Sequence, residues 1–111
     1  MKHVDVLGTR YFIRMDVSPK DMPEEADGCF DCTTHTIKIA EMISDRNSVK
    51  NMEEYQKKVL RHEIVHAFFY ESGIWNSSST AECWGMDEQI TDWIAIQSPK
   101  IFQAFREAGC I

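Results

Sequence analysis

Leu60-Arg-His-Glu-Ile-Val-His-Ala-Phe-Phe-Tyr70 is the stretch from which the rest of the chain can be read. Inside it, His62-Glu63-Ile64-Val65-His66 forms an H-E-x-x-H pattern. Residues four apart on an α-helix lie on one face, one turn above the other, so His62 and His66 can offer two imidazole nitrogens to a single ion. Glu63, next to them, can reach a water on that ion. Two neutral imidazoles and a carboxylate base are the donor set of a zinc hydrolase, provided the stretch is helical. Val59, Leu60, Ile64, Val65, Ala67, Phe68 and Phe69 place apolar residues on several sides of the motif, which predicts a substantially buried helix. Polar side chains in such a helix need partners, because an unpaired buried polar group is costly, and a metal ion would satisfy all three.

The limits of this helix are marked in the sequence. Asn51 is a suitable N-cap, and Glu53 and Glu54 in the first turn suit the helix dipole. Gly73 suits the left-handed position just past the end. Upstream, residues 1–48 read as strands. Val4 and Val6, then Tyr11, Ile13, Met15 and Val17, alternate with polar neighbours, and Gly8-Thr9 between them suits a turn, which predicts a hairpin or a bent, bulged strand. Ser18–Gly28 is rich in breakers and acids and reads as a loop. Thr33–Ala40 alternates again and carries β-branched residues, so it is the clearest strand. These features predict a small three-stranded antiparallel sheet, with Thr34–Ile39 presenting an edge that must be covered or used. Ser44–Ser48 is the connection to the helix.

Downstream, Asn76–Thr80 reads as a loop, and Ser79-x-x-Glu82 is a capping box that folds Glu82 back on its own helix start. Met86, Ile90, Trp93, Ile94 and Ile96 form an apolar stripe, predicting a second helix to about Gln97 with Trp93 in the core. Ser98-Pro99 then predicts a short third helix with proline in its first turn, ending at Gly109. Strands followed by helices point to an α+β fold, and 111 residues suffice for one domain spanning 1–111.

A formal charge of −6 argues against a nucleic-acid surface, which would be basic. No apolar run approaches the ~20 residues needed to span a bilayer, and the N-terminus lacks the apolar stretch of a signal peptide. A cytoplasmic location is expected. There, Cys29, Cys32, Cys83 and Cys110 are read as thiols rather than disulfides. Cys29-x-x-Cys32 is half a zinc knuckle without a second pair to complete it. His35 with Cys83 or Cys110 is the alternative completion of a second metal site.

A catalytic zinc takes three protein ligands and one open position. Glu82, Asp87, Glu88 and Asp92 follow the first motif, and Glu82 is assigned to its capping box. Asp87-Glu-Gln-Ile-Thr-Asp92, placed after His62-Glu-x-x-His66, resembles the glutamate-zincin (gluzincin) clan of metallopeptidases. The third ligand of that clan is a Glu on a following helix, within an Asn/Asp-Glu-x-x-Ser/Thr-Asp-like motif. The resemblance covers about a third of the chain. It implies Glu88 as the third ligand and Asp92 as the acid that hydrogen-bonds a zinc-binding His. The four-residue spacing of Glu88 and Asp92 puts both on one helix face, and a carboxylate on the free N–H of His62 would fix its tautomer. The short chain also resembles minimal clan members and the phage and mobile-element branch related to ImmA/IrrE-type metallopeptidases. Larger members carry a second domain whose His or Tyr stabilises the oxyanion, and this chain has no room for one. Tyr70, four residues past His66, and His35, on the expected edge strand, are the candidates for that role. Trp75 and Trp84 are candidate cleft residues.

These readings together imply a Zn²⁺-dependent hydrolase of peptide bonds, with Glu63 as general base and a peptide or protein as substrate. An extended substrate would add to the sheet edge at Thr34–Ile39. Two other classes fit the same residues. One is a protein that binds metal for structure or regulation without turnover, and the other an interaction module of a mobile element that works without metal. Self-association, with a neighbour's segment in the cleft, is a further expectation.

Overall fold

The computed structural model describes residues 2–43, 51–77 and 87–111. The first alternating runs form an antiparallel hairpin of β1 (Lys2–Val6) and β2 (Thr9–Val17). Leu7 and Gly8 close it with φ of 51° and 93°. Positive φ at both central residues is what a two-residue turn needs to match the right-handed twist of its strands. The turn therefore lies one residue earlier than Gly8-Thr9. A second hairpin joins β3 (Gly28–Asp31) to β4 (Thr36–Ala40).

The four strands lie in the order β1-β2-β4-β3, with β2 and β4 parallel. The fold is α+β as expected, but its sheet is four-stranded and mixed, not three-stranded and antiparallel. Gly28–Asp31 is the added strand. Its four residues show no alternation that could be read, and pairing with β4 is what makes it a strand. The edge moves as a result: β4 is interior, so Thr34–Ile39 offers no open edge, and β3 takes that position.

Val6, Tyr11, Ile13, Ile37 and Ile39 point to one face and pack against Val59 and Ala67 of α1 (Met52–Glu71). The Asn51 side chain caps α1, accepting from the Glu54 N–H at 3.1 Å. Past its end, Gly73 takes the left-handed conformation at φ 91°. A helical turn, α2 (Ile74–Ser77), follows where a loop was expected from Asn76 onward. The capping box at Ser79 and Glu82, together with Cys83, Trp84 and Met86, lies outside the described residues, as does the connection 44–48.

The last element, α3 (Glu88–Ala108), is one continuous helix with Pro99 inside it, so the break expected at Ser98-Pro99 is absent. Pro99 has no N–H and leaves the Ala95 carbonyl without its usual donor four residues on. Arg61 of α1 fills that vacancy, its Nε donating to Ala95 O at 2.5 Å. The buried face also differs from the expected stripe. Thr91 and Ala95 are buried, whereas Trp93 is 57% exposed and Ile90 and Ile96 are exposed too. Small residues at the contact let α3 approach α1 closely, which turns the bulkier residues outward. No described helix is long and apolar enough to cross a membrane.

Candidate metal centre

His62 and His66 stand one turn apart on α1, and Glu88 opens α3. The start of α3 is held by Asp87, whose side chain accepts from the N–H groups of Gln89 and Ile90 at 2.7 and 3.3 Å. That cap directs Glu88 at the two histidines. Its Oε1 lies 2.8 Å from His66 Nε2 and its Oε2 3.1 Å from His62 Nε2. The three ligand atoms all fall within 4.8 Å of one another. Around a tetrahedral ion with bonds of ~2.0–2.1 Å, donor atoms stand about 3.3 Å apart, so a small side-chain adjustment suffices to admit one.

The protonation states suit the same use. His62 Nδ1 is 3.2 Å from Asp92 Oδ1. A proton donated there from Nδ1 would leave Nε2, which faces Glu88 and His66, free to bind an ion. Lys58 Nζ reaches the same Asp92 oxygen at 3.1 Å. Burial pushes the Asp92 carboxyl up, but the bonds from Lys58 and His62 outweigh it and hold the group below the usual carboxylate range. Burial holds the His66 imidazole below its ordinary value, favouring the neutral form that ligates metal. His66 Nδ1 is buried and has no hydrogen-bond partner among the described residues. Packing orients this ring instead. Phe30 stacks on it at 6.4 Å between centroids, and Trp75 meets it edge-on at 5.7 Å.

Glu63 is the unusual group. It is only 7% exposed, yet its carboxylate has no hydrogen bond or ion pair among the described residues. Burial pushes its pKa from an ordinary 4.5 to about 7, with His62 opposing and Glu88 adding to the rise. It lines a cleft of about 190 Å³ together with Tyr55, Lys58 and His62. The other wall is the start of β3, where Gly28 comes so close that a Cβ there would lie 2.7 Å from Val59 Cγ1 and 3.2 Å from Glu63 Oε2.

The two expected oxyanion candidates are placed differently. Tyr70 joins the aromatic group beside His66, its ring 6.1 Å from Phe30 and 6.3 Å from Trp75. Charge interaction with the nearby Cys32 raises its pKa. His35 lies in the turn before β4, exposed, with its ring 5.3 Å from Tyr11, whose hydroxyl bonds Glu71. Cys29, Cys32 and Cys110 are free thiols, and among the described residues only His62, His66 and Glu88 have metal-ligand spacing.

The sequence does not mark Lys58 or Phe30 as site residues, and it places Gly28 at the end of a loop, whereas Gly28 opens β3. Lys58 had a signal, since it precedes His62 by four residues and shares its face. Phe30 and Gly28 had none, because they come from the strand that only pairing reveals. Comparison of the chain with family models, with curated proteins and with solved structures finds no match.

Proposed function

We propose that the chain is a zinc-dependent metallopeptidase of gluzincin type acting in the cytoplasm, with His62, His66 and Glu88 holding the ion and Glu63 as general base. One observation carries this reading. Two histidines of one helix and a glutamate of another converge beside the largely buried Glu63, whose side chain lines the adjacent cleft. A divalent ion held there supplies Lewis acidity toward a carbonyl and toward water.

The chain's own groups do the rest. Glu63 takes a proton from the attacking water and returns it to the leaving amine nitrogen. Asp92, backed by Lys58, keeps His62 in one tautomer. The edge strand β3 borders the Glu63 cleft and is where an extended substrate backbone would pair. Tyr70, which packs with Phe30 and Trp75 in the aromatic group around His66, is the candidate kept for the oxyanion role.

The test is metal content by mass spectrometry on wild type and Glu88→Ala, with casein digestion of wild type and Glu63→Gln. The reading expects about one zinc per chain in the wild type, less in Glu88→Ala, and cleavage abolished in Glu63→Gln with its zinc retained. Zinc without cleavage would favour a metal-binding regulatory protein. No metal in a protein never exposed to chelator would overturn the proposal.

A further inference from the structure

The sheet face opposite α1 holds a cavity of about 710 Å³, within the range of small-molecule sites. Arg14 of β2 and Lys38 of β4 face each other directly across the parallel ladder and both line it. Like charges in direct register are destabilising, and neither forms an ion pair with a carboxylate among the described residues. The chain is acidic overall, with a formal charge of −6, so acidic partners were available.

Those partners are diverted. In regular alternation Asp16 would share the outer face with Arg14. The ladder slips between Arg14 and Val17, Asp16 takes φ 56°, and its carboxylate instead accepts from Gln56 of α1 at 2.9 Å. Asp31, at the cavity wall, is engaged by its own turn, accepting from the N–H groups of Thr33 and Thr34 at 2.9 and 3.3 Å. Among the described residues the Lys38 ammonium bonds only the backbone carbonyl of Asp21, at 3.5 Å. Asp21 also lines the cavity. Phe12, 40% exposed, and Pro23 add apolar surface.

We propose that this cavity binds a small organic anion, a phosphate or carboxylate on an apolar body, with Arg14 and Lys38 holding the charged end and Phe12 and Pro23 the apolar part. The site is separate from the metal centre and does not depend on the peptidase reading. Arg14 supplies a planar fork suited to two acceptor oxygens and Lys38 a point charge beside it.

The test is an amide-resolved NMR titration of the full chain with phenyl phosphate and, separately, phenylacetate, using phenol as the uncharged control. Saturable shifts at Phe12–Arg14 and Thr36–Lys38 are expected with at least one anion, and the stronger arm tells phosphate from carboxylate. Arg14→Gln or Lys38→Gln should each weaken binding about tenfold, as loss of one charge-assisted contact does. Both variants should melt no lower than wild type, since each removes a repulsion, whereas Asp21→Asn should bind more tightly. No saturable shift with either anion, equal shifts with phenol, or unchanged affinity in both Gln variants would overturn the proposal.

Discussion

Glu63 makes a prediction whose sign is set chiefly by burial. Its pKa rises from 4.5 in the ordinary state to about 7 in the fold, so the folded chain holds this proton more tightly than the unfolded one. Its contribution is therefore least unfavourable below about pH 4.5 and worsens as pH rises to about 7, where it levels off. In chelator-treated protein, Glu63→Gln should melt higher than wild type above neutrality, by at most about 3 kcal/mol, and equally at acid pH. Thermal melts across pH check this. A variant less stable than wild type at alkaline pH would mean the carboxylate is satisfied in the fold. Gly28 gives a second residue-scale prediction. An alanine methyl would meet Val59 Cγ1 at 2.7 Å and Glu63 Cγ at 3.1 Å, both on a packed helix. Gly28→Ala should cost ~1–3 kcal/mol by overpacking, read from denaturant unfolding. An unchanged midpoint would show that β3 can draw back from α1.

At the scale of elements, α3 runs through a proline because α1 supplies what the proline lacks. Arg61 donates to Ala95 O at 2.5 Å, the carbonyl that Pro99 leaves bare. Arg61→Met should destabilise by ~1–3 kcal/mol in the wild type by leaving that acceptor unsatisfied. In a Pro99→Ala background the restored N–H can bond Ala95 O, so the same substitution should cost clearly less. A double-mutant cycle on equilibrium unfolding measures the difference, and additive effects would show that Arg61 acts through packing alone. The same elements show how far the sequence could be read. The H-E-x-x-H helix, its Asn51 cap and its Gly73 stop follow from spacing and local chemistry. The proline was read as a helix start, because nothing local announces a donor from residue 61.

At the scale of the molecule, the candidate site is shared between two helices joined by a long connection. Among the described residues, α3 meets α1 through small buried residues, Thr91 and Ala95, and through polar bonds from Lys58, Arg61, His62 and His66. An ion held by His62, His66 and Glu88 would tie α3 to α1, and its binding energy would appear as stability. Zinc at about a hundred times its Kd should add ~2.7 kcal/mol. Chelation should therefore speed hydrogen exchange in residues 88–98 before it affects β2 and β4. Uniform loosening of the whole chain on chelation would show that α3 is held independently of metal.

The sequence by itself determined the local features: a buried helix with two histidines and a glutamate at ligand spacing, its caps, the first hairpin, and an α+β order of elements. Each depends on residues within a turn or two of one another, where geometry is set by the backbone. The tertiary structure alone decided the β3 strand, the parallel pairing of β2 with β4, the continuous α3 and its outward Trp93. It also decided which face of the sheet carries Arg14 and Lys38, with no ion pair to either among the described residues. These depend on partners tens of residues away, such as β4 for Gly28–Asp31, Arg61 for Ala95 and Gln56 for Asp16. A short strand or a bare carbonyl acquires its meaning only from the group that meets it across the fold.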